Sequence, residues 1–171
     1  MGWYVITGGP CSGKTTLISR LSRMGYQTVP EAARIIIDNE LSKGKSVEDV
    51  RKGELEFQRK VLAMKVEFEN ELLKDSIVFL DRGIPDSIAY FQICGFDTKE
   101  VLSACEGKMY KKVFLLEQLP FEKDYARTED DETAKKVNEL LKEAYEALGY
   151  EVLHVPYMSV EKRLEFILSN L

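Results

Sequence analysis

The sequence carries one histidine, His154, and three cysteines, Cys11, Cys94 and Cys105, among its 171 residues. A single histidine cannot build a multi-histidine metal centre, and because His154 lies in a strand-like run it is expected to be structural and not the base of a triad. Three cysteines with no C-x-x-C spacing give no disulfide framework and point to a reducing cytoplasm. No apolar stretch approaches the ~18 residues that a membrane span requires. The opening strand-like run leads straight into a loop, so no leader is expected. Excess positive charge is lacking too: the formal net charge of −5 makes nucleic acid an unlikely partner, because non-specific binding depends on Lys and Arg neutralising phosphates. There is no internal repeat, low-complexity tract or linker. What remains is a chain 44% hydrophobic and 31% charged, a composition and length that suit one folded core, so residues 1–171 are expected to form a single domain.

Against these absences stands Gly8-Gly9-Pro10-Cys11-Ser12-Gly13-Lys14-Thr15, a full match to G-x-x-x-x-G-K-[ST]. Trp3 to Thr7 before it reads as a short apolar strand, and Thr15 to Leu21 after it has helical spacing. Glycines let the backbone curl and bring its N–H groups to phosphate oxygens. Lys14 is expected to reach the terminal phosphates, and Thr15 to offer its hydroxyl to magnesium. Thr16 is expected to support the α-phosphate or the helix start. Cys11 is expected to be a small filler, not a nucleophile.

Further along, Gly25 to Pro30 reads as a turn and a second strand, with Glu31 at its carboxyl end. A helix from Ala32 is closed by Gly44, and Ser46 to Asp49 resembles a capping box. The spacing of Phe57, Val61, Met64, Phe68 and Leu72 predicts one long helix from Val47 to Lys74 with a core-facing stripe. Ser76 to Leu80 forms an apolar strand ending in Asp81, the Walker B arrangement in which a carboxylate holds the nucleotide's magnesium. Arg82 beside it either grips an anionic group or forms a surface ion pair. Helices are expected near Ile84 to Tyr90 and Thr98 to Cys105, and a strand over Lys111 to Leu116. A polar connection then runs from Glu117 to Glu129, lid-like over about 117–130. In it Arg127 either stabilises charge on a transferring phosphoryl group or pairs with Glu129, Asp130 and Asp131. Thr133 to Leu148 predicts an amphipathic helix, Tyr150 to Pro156 a fifth strand, and Val160 to Leu168 a last helix. Strands alternating with helices imply an α/β fold with a parallel sheet, whose ligands bind beyond the strands' carboxyl ends.

The reaction is narrowed by missing motifs. An Asn-Lys-x-Asp guanine-reading motif is lacking, which argues against a Ras-like GTPase. Asp81 is followed by Arg82, not by the second acid that prepares water in many motor ATPases. Transfer of a phosphoryl group to a bound acceptor suits these parts better than hydrolysis.

Taken together, the phosphate loop, Val29-Pro30-Glu31-Ala32-Ala33-Arg34, Phe57-Gln58, Leu80-Asp81-Arg82-Gly83-Ile84-Pro85-Asp86 and Val113 to Leu116 resemble the NadR-like P-loop domains, often labelled AAA-type ATPase domains. This family includes the nicotinamide riboside kinase domain of bacterial NAD regulators, and the likeness covers nearly the whole chain. The resemblance implies the three-layer α/β/α fold of nucleoside and nucleotide kinases, with a five-stranded parallel sheet in the order 2-3-1-4-5. It implies magnesium, ATP or GTP as donor, and a small-molecule acceptor. It makes Glu31 a candidate base or acceptor-hydroxyl binder and Arg34 and Arg82 candidate acceptor anchors. Gln58 either reads an acceptor base or sugar or is an ordinary helix-surface glutamine. The resemblance extends to no adenylyltransferase or DNA-binding part of a full NAD regulator, and none is expected within these 171 residues. Two classes of activity follow: a small-molecule kinase with Lys14, Glu31, Asp81 and Arg127 at its centre, or a nucleotide-binding regulatory switch with slow hydrolysis.

Overall fold

The computed structural model describes residues 2–73, 76–119 and 131–171. Its centre is a five-stranded parallel sheet in the order β2-β3-β1-β4-β5, built from β1 Gly2–Thr7, β2 Gln27–Val29, β3 Ile77–Asp81, β4 Tyr110–Leu116 and β5 Val152–Val155. The implied order 2-3-1-4-5 is the one observed. Eight helices are found among the described residues: α1 Lys14–Arg23, α2 Ala32–Ser42, α3 Val47–Arg51, α4 Glu54–Asn70, α5 Asp86–Ile93, α6 Lys99–Cys105, α7 Asp131–Ala147 and α8 Val160–Ser169.

The two-residue period of the strands divides the core. Tyr4, Ile6, Phe79, Phe114 and Leu116 pack on Leu17, Leu21, Leu164 and Ile167 of α1 and α8. On the other face Trp3, Val5, Val78, Leu80 and Val113 meet Tyr145 of α7, and Leu115 meets Val137 and Leu141. Central strands covered on both sides read as continuous apolar runs, which is why β1, β3 and β4 were visible in the sequence. Strands β1 and β3 are neighbours, yet their following helices α1 and α5 lie on opposite faces. A crevice therefore opens beyond the carboxyl ends of those two strands.

One expected element is divided. The helix predicted over Val47 to Lys74 is two helices, α3 and α4, with a break at Lys52 and Gly53. The capping box at Ser46 is present: its hydroxyl accepts from the Asp49 N–H, and the Asp49 carboxylate accepts from the Ser46 N–H. It starts only the short helix, and Gly53 then serves as the N-cap of α4. The apolar stripe persists in α4, where Phe57 and Val61 pack against Ala32 and Ile36 of α2. This contact sets α2 and α4 side by side, flanking the crevice.

Candidate active site

The phosphate loop leaves β1 and curls ahead of α1, with Gly8, Gly9, Ser12 and Lys14 buried and Thr15 and Thr16 exposed. The Lys14 ammonium donates to the carbonyls of Gly8 and Gly9 at 3.0 and 2.9 Å and to Ser12 Oγ at 3.2 Å. It thus lies at the centre of the curl. Burial and the charge of Arg82 lower its pKa to about 8, against the pull of Asp81 and Glu31. Cys11 does not fill space as expected: it is exposed, with φ +59°. The Gly9 N–H donates to Asn138 Oδ1 of α7 at 2.6 Å, a tether no local motif announces.

Asp81 ends β3 opposite Ile6 of β1. Its carboxylate is buried, and Oδ1 has no hydrogen-bond partner among the described residues. Burial and the neighbouring charge of Glu31 push its pKa up to about 6, with Lys14 and Arg82 pulling the other way. Arg82 follows in the left-handed region at φ +69°, a conformation that costs a non-glycine residue roughly 1–2 kcal/mol. Side-chain contacts offset the strain. Nε donates to Glu31 Oε1 at 3.1 Å, Nη1 donates to Asp86 Oδ1 at 3.1 Å, and the guanidinium lies 5.2 Å from the Tyr90 ring centre. Arg82 is buried, so the alternative of a surface ion pair does not hold.

Asp86 lies in the stretch from Leu80 that carries the family resemblance, and its role becomes visible only in the fold. Fully buried at the start of α5, it accepts from Thr7 Oγ1 at 2.5 Å, from Arg82, from the Gly83 N–H at 3.0 Å and from the Tyr145 hydroxyl. Burial acts to raise its pKa, but the charges of Lys65 and Arg82 and the bonds from Thr7 and Tyr145 hold it below the usual aspartate value. Gly83 is needed for close approach: a Cβ there would sit 2.8 Å from the Tyr145 oxygen and 3.2 Å from that of Tyr110. Both hydroxyls are engaged, Tyr145 with Asp86 and Tyr110 with Glu69, so neither is free to retreat. Gly83→Ala is expected to destabilise the fold by about 1–3 kcal/mol. Thermal melting would then fall by several degrees; an unchanged midpoint would show that the two tyrosines can yield.

The acceptor-side expectations separate. Glu31 occupies the N-cap position of α2, its side chain making no cap bond, and lies in the same cleft as the phosphate loop, Arg82 and Gln58, a cavity of about 890 Å³. Gln58 is buried and its Nε2 donates to Glu54 Oε1 at 2.8 Å, so it is a wall residue, not a helix-surface glutamine. Arg34 stands at the exposed rim, 3.9 Å from Asp38. Lys65, which the sequence reading passed over, is buried two turns along α4 from Gln58, lines the cleft and donates to Ser87 Oγ at 3.0 Å. Desolvation lowers its pKa. Residues seven apart share a helix face, which joins Lys65 to Gln58, but the apolar stripe on the same helix masks that signal in the sequence. Ile37, Phe57, Val61 and Tyr90 give the cleft an apolar wall. Arg127 and the lid expected around 117–130 lie outside the described residues beyond Leu119. His154 is exposed on β5, away from these groups.

Comparison with known proteins agrees with this arrangement. The model of the AAA_28 family, an AAA domain, matches residues 3–163. Nothing among curated protein sequences matches the chain. Solved structures of similar fold include a NadR protein in complex with NR, at TM-score 0.72 and 16% identity, covering 98% of this chain and 49% of that one. A thymidylate kinase from Ehrlichia chaffeensis has TM-score 0.68 and 15% identity, with 99% and 97% of the two chains covered. A deoxyadenosine kinase from M. mycoides with products dCMP and a flexible dCDP bound has TM-score 0.64 and 14% identity, with 98% and 97% covered. At these identities the likeness is one of fold, and this chain spans about half the length of the NadR protein. The fold is that of P-loop kinases, and the chain belongs to the AAA_28 family of AAA domains.

Proposed function

We propose that this protein is a cytoplasmic phosphotransferase, one domain over residues 1–171, that moves the γ-phosphoryl group of ATP or GTP onto a hydroxyl of a small nucleoside-like acceptor. One observation carries the reading: a single cleft runs from the phosphate loop to Glu31, Gln58 and Arg82. Hydrolysis requires only the loop end, whereas transfer requires both ends in one cavity so that donor and acceptor oxygens meet in line. Kinases of nucleosides and nucleotides among the structures of similar fold support it. The cytoplasm suits three cysteines of which none is in a disulfide.

In this reading the loop from Gly8 to Thr16, through those backbone N–H groups that have no partner among the described residues, and the Lys14 ammonium hold the donor phosphates. Glu31, oriented by Arg82, accepts the proton of the attacking hydroxyl. Arg34 and Gln58 hold the acceptor against the apolar wall of Ile37, Phe57, Val61 and Tyr90, a slot suited to a flat ring. Arg127 adds positive charge where the phosphoryl group transfers. A magnesium ion fits the residues present. Asp81 offers a buried carboxylate oxygen that has no other partner among the described residues, and Thr15 offers a hydroxyl in the cleft. Two hard oxygen ligands suit an ion that keeps several waters and shares the phosphates. Bound magnesium would neutralise charge on the donor's phosphate oxygens.

The test is a panel of nucleosides incubated with γ-labelled ATP or GTP. The expected result is a labelled product that depends on one acceptor and on magnesium. Tight nucleotide binding with no acceptor-dependent product across the panel would overturn the transferase reading and leave a nucleotide-dependent switch.

A further inference from the structure

We propose that Arg163, on the last helix, is a positioning residue for the donor end of the cleft. It does so by holding the back of the phosphate loop, and it touches none of the reacting atoms. Arg163 is a fully buried side chain on α8 whose Nη1 donates to the Ser12 carbonyl at 2.6 Å and whose Nη2 donates to the Glu117 carbonyl at 3.1 Å. One guanidinium therefore joins the phosphate loop to the chain leaving β4. A third segment joins them, since the guanidinium lies 5.9 Å from the ring centre of Tyr157 in the β5–α8 loop. The Tyr157 N–H in turn donates to Glu117 Oε2 at 2.7 Å.

The consequence for the loop follows from peptide geometry. A trans peptide points its C=O and its N–H in opposite directions. Holding the Ser12 oxygen toward Arg163, behind the loop, aims the Gly13 N–H away from Arg163 and toward the concave side where phosphates would lie. Gly13 takes φ +85° to make this turn, a conformation that favours glycine, and a Cβ there would rest in ordinary contact with Arg163 Nη1 at 3.4 Å. The positive charge on the carbonyl polarises the same peptide and makes that N–H a stronger donor.

Energetics argue that this arrangement is not there for stability. The guanidinium is buried with two neutral carbonyls as its hydrogen-bond partners, its Nε has none among the described residues, and burial outweighs the attraction of the Glu117 carboxylate and holds its pKa below the usual arginine value. Burying a charge so incompletely satisfied costs the fold, and relief of that cost in Arg163→Met offsets what is lost when the Ser12 and Glu117 carbonyls give up this donor. Such departures from local consistency gather at functional sites.

The inference rests on the donor half of the proposed function and does not need the acceptor. The experiment measures binding of a fluorescent ATP or GTP analogue, with no acceptor present, together with thermal melting, for the parent, Arg163→Met and Arg163→Lys. Arg163→Met is expected to melt no lower than the parent yet to bind the nucleotide about tenfold more weakly, the scale of one charge-assisted hydrogen bond. Arg163→Lys, which keeps the charge but cannot fork across two carbonyls, is expected to recover part of that loss. Binding within twofold of the parent in Arg163→Met would overturn the proposal. So would a fall in melting midpoint with binding intact in the folded fraction, because that is the result of a purely structural role. Should Arg163→Met fail to fold, Arg163→Lys is judged alone: about threefold or more weaker binding at unchanged melting supports the proposal, and parental binding overturns it. A parent that binds neither nucleotide would overturn the donor-site reading itself, an outcome distinct from a parent and variant that bind equally.

Discussion

Replacing Lys14 with alanine is expected to lower acceptor-dependent phosphoryl transfer by a factor of about 10²–10³, the scale of removing one preorganised cationic or hydrogen-bonding group from a charge-stabilising site. The ammonium is already in place, hydrogen-bonded to the carbonyls of Gly8 and Gly9 and to Ser12 Oγ. A donor fixed in advance needs no reorganisation as charge moves toward the leaving oxygen, which is why its removal should act on turnover more than on acceptor affinity. The fold should survive. Burial and the Arg82 charge already lower the pKa of Lys14 to about 8, so the ammonium is held at a cost that alanine relieves, and that relief offsets the bonds lost to the buried Gly8 and Gly9 carbonyls. Circular dichroism and melting would establish that the variant is folded, and single-turnover transfer would measure the step. Turnover within about threefold of the parent would mean that the phosphate loop is not where this protein does its chemistry.

How much of this site could be read from the sequence depended on how local each signal was. The phosphate loop, its strand and its helix are contiguous, and every residue in the motif has a backbone or charge reason to be there. Asp81 was legible because an apolar run stops at it, and Glu31 because a turn and a short strand precede it and the resemblance gives it a role; a parallel sheet gathers both strand ends on one side. Gln58 was found through resemblance, whereas Lys65 on the same helix face was lost in a stripe that also packs the core. The division between α3 and α4 was missed because the apolar spacing continues across Gly53 as though the helix did. Arg163 is a different case: its partner Ser12 lies 151 positions away and offers a backbone carbonyl, which any residue would supply. Nothing in one sequence marks such a pair. Tyr145 and Asp86, 59 positions apart, meet only once the sheet has formed.

That last pair leads to the largest expected effect on stability. Asp86→Asn should destabilise the protein by about 3 kcal/mol or more, and Asp86→Ala by about as much, because each removes one partner from a buried charged network and leaves the other charges uncompensated. The amide is nearly the same shape, so the loss is one of charge and donor count. Oδ1 receives N–H and O–H bonds from Arg82 and Thr7, and Oδ2 receives them from Gly83 and Tyr145. The two hydroxyls can rotate away. The Arg82 and Gly83 N–H groups cannot, so either orientation of the asparagine amide sets its NH₂ against a fixed donor. Arg82 would then lose its anchor, and its left-handed φ of +69° would lose one of the contacts that offset the strain, so transfer should fall even at temperatures where the variant is folded. The pH dependence supplies an independent check. The folded-state pKa of Asp86 is lowered, so its contribution is fully present above the unfolded value of about 3.9 and is lost as pH falls through the folded one. The difference in melting midpoint between parent and Asp86→Asn should therefore be constant at about 6 °C or more near neutral pH and shrink only below about pH 4. Equal midpoints at pH 7, or a gap that closes well above pH 5, would show that the carboxylate at position 86 does not hold Arg82 in place.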